Sequence, residues 1–210
     1  MTRRSEVELL VLHAVRLKGM ADDETTARRF GVGREQAAEL LLDFQAFGWV
    51  GWSEFAGTGG WSMTSAGRSE NERQLAAELE GTAGGREAVS EACEVFLPLN
   101  GRLQQACTDW QLRPTTADAL AFNDHSDPAW DQQVIDELSE LDRGLKSVVD
   151  RLVGVLDRFQ SYDTRFSSAL GRATAGEVAW VDGTGVDSCH VVWFELHEDL
   201  LATLGLQRGE

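Results

Sequence analysis

With 210 residues, 42% hydrophobic and 26% charged, the chain has the composition of a folded protein, not of a disordered one. No apolar run approaches the ~18 residues of a membrane span. Glu6 and Glu8 interrupt the first apolar stretch, so no signal peptide is expected. The three cysteines, Cys93, Cys107 and Cys189, lack C-x-x-C spacing. That argues against a disulfide framework or thiolate zinc site and fits a cytoplasmic protein.

Residues 5–17 carry Val7, Leu10, Val11, Ala14 and Val15 at helical spacing, with Ser5 as the expected cap and Gly19 as the stop. Asp22 or Asp23 is placed to cap a short second helix, ETTARRF. Gly31, Val32 and Gly33 then form a turn into a third helix over 34–47, with Ala37, Leu40, Leu41 and Phe44 inward and Gly48 at its end. The runs WVGWSEF and WSMT flank a glycine-rich tip and predict a β-hairpin. Thr64 precedes a further helix ending near Gly81, and the stretch GTAGG over 81–85 reads as a junction between domains.

The remainder is predicted to be helical. Residues 86–97 and 99–110 form one element that Pro98 kinks or divides. Residues 112–128 read as a loop. From Val134 through Leu138, Leu141, Leu145, Val148, Leu152 and Val155 to Phe159, apolar residues alternate at spacings of four and three. Such a stripe fits a central helix of an intrachain bundle or a seam with a second chain, and neither Gly144 nor Gly154 breaks it. Helices near 162–174 and 188–204 follow, separated by a polar loop. The expected architecture is mainly α: a domain of three helices plus a β-hairpin over 1–82, and an acidic helical bundle over 86–210.

The segment TTARRFGVGREQAAELLLDFQAFGWVGWSEFAGTGGWSMTSAGR resembles the winged helix-turn-helix of bacterial transcription regulators such as the MarR group. Its matching pieces are a short helix, a Gly-Val turn, a longer helix ending in Phe-Gly-Trp-Val, a hairpin, and a closing Trp-Ser-Met-Thr-Ser-Ala-Gly-Arg. The resemblance covers about residues 5–80. It implies that the third helix lies in the major groove of double-stranded DNA and that the hairpin wing meets the backbone. On that reading Arg34 suits a guanine edge, Gln36 an adenine, and Glu39 shares the reading face. Arg28 and Arg29 on the preceding helix suit phosphates.

Charge runs against this. The net charge of −16 divides into −2 over residues 1–75 and −14 over 76–210. Glu35, Glu39 and Asp43 put three acids on the reading face, and the wing tip has no Lys or Arg. The alternative is a winged helix that docks a protein partner.

Residues 86–210 contain no P-loop, G-x-G-x-x-G or G-x-S-x-G motif. Trp110, Arg113, His125, Trp130, Trp180, His190 and Trp193 come from three stretches in which aromatic and polar residues cluster. They form a candidate pocket for a small-molecule effector; the plainer reading has each tryptophan filling the bundle. His190 and His197 are two helical turns apart, too far to share a metal, and no metal or cofactor is expected. Cys189 at a helix start is a candidate reactive thiol; the plainer reading is a buried, inert cysteine. The sequence thus points to a cytoplasmic homodimeric regulator without enzymatic activity. An enzyme built on the His/Asp/Trp loops is the more remote alternative.

Overall fold

The computed structural model describes residues 2–55 and 57–206; residues 1, 56 and 207–210, which fall within the two expected domains, lie outside this range. Among the described residues the chain is mainly helical, 68% in nine α-helices, with one small antiparallel sheet of three strands. No helix is long and apolar enough to cross a membrane. The chain forms two compact units. The first comprises Met1–Glu87, Val155–Arg158 and Glu198–Glu210; the second comprises Ala88–Gly154 and Phe159–His197.

The first unit opens with α1 (Val7–Lys18), β1 (Met20–Ala21), α2 (Asp23–Arg29) and α3 (Arg34–Ala46). Ser5 is not the cap of α1. Glu6 holds that position without a side-chain bond, and the buried Ser5 instead donates its backbone N–H to Asp157 Oδ1 at 3.1 Å. Asp22 caps α2 by accepting from the Thr25 N–H at 2.7 Å, a bond that lowers the Asp22 pKa. β2 (Val50–Phe55) and β3 (Thr58–Met63) form a hairpin with Val50 opposite Met63 and Trp52 opposite Trp61, and β1 pairs with the outer edge of β3. Thr64 caps α4 (Ser65–Glu80) through the Gly67 N–H.

The core of this unit joins Val11, Leu12 and Val15 of α1 to Ala27, Ala37, Leu41, Phe44, Val50 and Trp61. α1 is buried on more than the expected stripe, because Leu9, Leu12, His13 and Leu17 are covered as well. The extra cover comes from late in the chain: Leu9 packs with Leu75 and Ala202.

The second unit contains α5 from Ala88 onward (the whole helix is Gly85–Gln111), α6 (Pro128–Val153), α7 (Tyr162–Thr174), α8 (Ala179–Asp182) and the first part of α9 (Cys189–Leu204). Pro98 does not divide α5, which runs for 27 residues. The a/d stripe is buried by its own chain, with Leu138, Leu141, Leu145, Val148 and Leu152 fully covered. The helix stops at Val153, with Gly154 as its C-cap. The regular spacing of Val155 and Phe159 therefore continues past the helix, into a short 3-10 turn over Asp157–Phe159. The polar loop before α9 contains the single turn of α8.

Candidate nucleic-acid interface

The link from α2 to α3 is tight because Gly31 takes a left-handed conformation, φ +67°, which residues with a Cβ rarely adopt. Val32 follows, partly buried against the core, with its N–H on the Ala27 carbonyl at 3.0 Å. Gly33 then caps α3, and Ala37, Leu41 and Phe44 hold one face of it inward. The outer face is open. Arg34, Gln36 and Glu39 are exposed on it, together with Glu35, Leu42 and Asp43; Arg28 is exposed at the end of α2.

Arg29 is the exception among the expected phosphate contacts. It is 7% exposed, with its guanidinium 4.4 Å from the centre of the Phe30 ring. A helix turns successive side chains by about 100°, and here that turn carries Arg29 toward the interior while Arg28 stays exposed. Arg29 is buried in the unit, a placement that does not suit the phosphate contact expected of it.

The hairpin presents Trp52, 46% exposed, with its ring edge-on to Trp61 at 5.2 Å. A Cβ at Gly59 would fall against the Trp52 ring, which would have to move to admit it. Trp61 is anchored by its indole N–H on Asp23 Oδ1 at 2.6 Å. Glu54 is exposed on the same hairpin. Leu42 and Phe47, at 59% and 63% exposure, add apolar surface on and beyond α3.

A buried charge cluster within the first unit had no counterpart in the sequence reading. Arg158 donates to Glu78 Oε2 at 2.9 Å, to Thr203 Oγ1 at 2.6 Å and to Asp199. His13 contacts Asp199 through Nε2 and Asn71 through Nδ1. Burial alone would raise the Asp199 pKa, but Arg158 and His13 outweigh it and hold the carboxyl well below the usual range.

In the second unit the seven residues of the expected pocket are placed as follows. Trp110 is buried, with its N–H on the Val178 carbonyl at 3.3 Å and its ring 4.6 Å from His125. His125 Nδ1 lies 3.0 Å from Asp131 Oδ2, and Asn123 donates to Asp131 Oδ1 and the Trp110 carbonyl. Arg113 pairs with Asp127 at 3.1 Å. Trp130 donates to the Asp109 carbonyl at 2.7 Å. Trp180 lies under the Arg172 guanidinium, 3.9 Å from its carbon. Trp193 is buried between Phe96 and Phe166 and donates to Asn100. His190 is half-buried, 6.3 Å from the Phe194 ring.

A groove of about 300 Å³ between α5 and α6 takes in Trp130 alone of the seven, beside Asp109 and the Arg102–Glu137 ion pair. The indoles of Trp110, Trp130 and Trp193 are thus all hydrogen-bonded within this unit. Cys189 is fully buried, and burial pushes its thiol pKa up, the opposite of the shift a reactive thiol needs. The helix-start position is outweighed by desolvation.

No family model, curated protein or solved structure matches the chain.

Proposed function

We propose that the first unit is a winged helix-turn-helix that binds double-stranded DNA, and that the protein is a transcription regulator whose second unit is a helical bundle. The observation that carries this is the uncovered face of α3. It follows a tight glycine turn, places Arg34 and Gln36 in its first turn, and belongs to the same compact unit as a three-stranded wing. Arg28 supplies a phosphate contact beside it.

A homodimer is part of the proposal, since two recognition helices about one DNA turn, ~34 Å, apart are needed to bind a two-fold operator. The test is a selection from fragmented genomic DNA with the full-length protein at low salt, alongside light scattering. Enrichment of a site with two related halves by a dimer supports the reading. A folded protein that enriches nothing removes it.

A second reading is favoured by one specific observation. The open face of α3 exposes Glu35, Glu39 and Asp43 alongside Leu42, with Phe47 and Trp52 also uncovered. An acidic, partly apolar face of this kind suits a basic protein segment. In the same selection, this reading is the one that survives if no DNA is retained.

A further inference from the structure

The buried cluster of the first unit fixes where the protons of His13 lie. The His13 ring is fully buried on α1 and stacked on Phe30, with the ring centres 6.1 Å apart. Its Nε2 lies 3.1 Å from Asp199 Oδ1, late in α9, and its Nδ1 lies 3.2 Å from Asn71 Oδ1 in α4. Asp199 is ionised, because Arg158, which keeps its charge in proteins, donates to the same oxygen. A carboxylate of this kind only accepts hydrogen bonds, so the nitrogen facing it carries a proton. The Asn71 amide is oriented by Arg16, whose Nη1 lies 3.5 Å from Asn71 Oδ1. Turned over, the amide would set its NH2 group against a guanidinium. The second ring nitrogen therefore also faces an acceptor. A neutral imidazole has one N–H and one lone pair and satisfies only one of these contacts; the imidazolium satisfies both.

The charges around the ring make one of these protons removable. Arg158 and, on α2, Arg29 are buried cations; Asp199 and, on α4, Glu78 are buried anions. Two and two already balance, so a charged His13 adds a further cation where burial disfavours it. Arg16 is paired with Glu72 of α4 and Glu198 of α9, and Glu198 also lies 3.7 Å from Arg68. The arginines cannot give up their charge, whereas histidine changes its charge near neutral pH. We propose that His13 is a pH-sensitive latch within the first unit, tying α1 and α4 to the end of α9 as the imidazolium and releasing that end when it loses a proton. Deprotonation leaves a lone pair against either the Asp199 carboxylate or Asn71 Oδ1. The latch is thus closed on the acid side and opens as the pH rises.

The experiment follows the ring nitrogens of the full-length, nitrogen-15-labelled protein by NMR from about pH 6 to pH 9, alongside the urea midpoint. The two nitrogens resonate close together in an imidazolium and far apart in a neutral ring. His13, assigned apart from the other three histidines by correlation with its own backbone, should be imidazolium at the acid end and neutral at the alkaline end. The urea midpoint should fall over the same interval. Asn71→Asp keeps the shape of the side chain and adds an anion at Nδ1, so it should move both transitions up by about one to three pH units. A ring already neutral at the acid end, a ring still charged at the alkaline end, or a urea midpoint that ignores the ring's titration would each overturn the inference. So would a folded Asn71→Asp that titrates with the wild type; if that variant does not fold, the wild-type titration decides alone.

Discussion

His13 Nε2 and Asp199 Oδ1 lie 3.1 Å apart with both side chains fully excluded from solvent. One residue is in the first helix of the chain and the other lies close to its end. Arg158 meets the same carboxylate from a third segment. A lone buried charge is strongly disfavoured, so Asp199, Arg158 and Glu78 tie three segments of the chain together through buried ion pairs.

Removal of Asp199 should therefore be costly. Asp199→Ala leaves Arg158 and His13 buried without their shared anion, and we expect a loss of roughly 3–5 kcal/mol. Urea unfolding followed by far-UV circular dichroism will read it. The pH dependence has a definite sign. Because the folded carboxyl titrates below its unfolded value, it contributes stability above the ordinary aspartate range, and this is lost as the pH falls toward the folded value. The wild type should lose stability steadily below about pH 4. Asp199→Asn should flatten that acid limb; equal limbs would show that the pair contributes nothing there.

A second test concerns one close approach. Gly67, in the first turn of α4, lies against the Trp49 carbonyl, and a Cβ at Gly67 would overlap that backbone oxygen. Thr64 bonds to the same carbonyl through Oγ1 at 3.1 Å, so the cap and the approach are one arrangement. Backbone cannot move aside as a flexible side chain can. Gly67→Ala should cost more than about 2 kcal/mol although alanine is the better helix former. A melting temperature equal to the wild type would show that α4 shifts freely.

The elements of the first 80 residues were legible because their signals are local. Asp22, Gly33, Gly48 and Thr64 mark helix ends by their own backbone and side-chain chemistry, and the inward residues of α3 repeat at helical spacing. The extent of the first unit was not legible. His13, Glu78, Arg158 and Asp199 carry no local signal of their pairing, and the partners of Arg158 are 41 to 80 residues away along the chain. Periodicity carries no information about such pairing. The heptad stripe misled at its end for a related reason: Val155 and Phe159 keep the spacing, but Gly154 has already closed the helix.

The burial of Arg29 was not legible, because composition does not show which of two adjacent arginines faces inward. Likewise, the tryptophan-rich stretches were seen as aromatic and polar, but the indoles of Trp110, Trp130 and Trp193 donate to acceptors at Val178, Asp109 and Asn100. Pairing of that kind needs three-dimensional neighbours.

The cysteines give a chemical test. Cys93, Cys107 and Cys189 are all buried, and burial pushes the Cys107 thiol up to about 12. Thiolate is then scarce at neutral pH and the sulfur inaccessible. In the native protein at pH 7.5 we expect reaction with a chromogenic disulfide reagent to be on the order of 100-fold slower than in urea. Three equivalents should appear together on unfolding. Rapid labelling of Cys189 alone in the native state would restore it as a reactive thiol.

The adjacent arginines of α2 provide the sharpest separation of surface from interior. Arg28 is exposed, whereas Arg29 packs on Phe30 and lies in the field of Asp199. On the DNA-binding reading, Arg28→Ala should weaken binding to all duplexes alike. It should also reduce the slope of log affinity against log salt by about 1 per protomer, the signature of one lost phosphate contact. Its melting temperature should be unchanged. Arg29→Ala should do the reverse: a stability loss of roughly 1–2 kcal/mol from the stacked guanidinium, with the salt slope of the remaining folded protein unaltered. Fluorescence anisotropy over a salt series, paired with thermal melts, distinguishes the two. A salt slope lowered by Arg29→Ala and untouched by Arg28→Ala would mean that α2 presents its other face to the duplex.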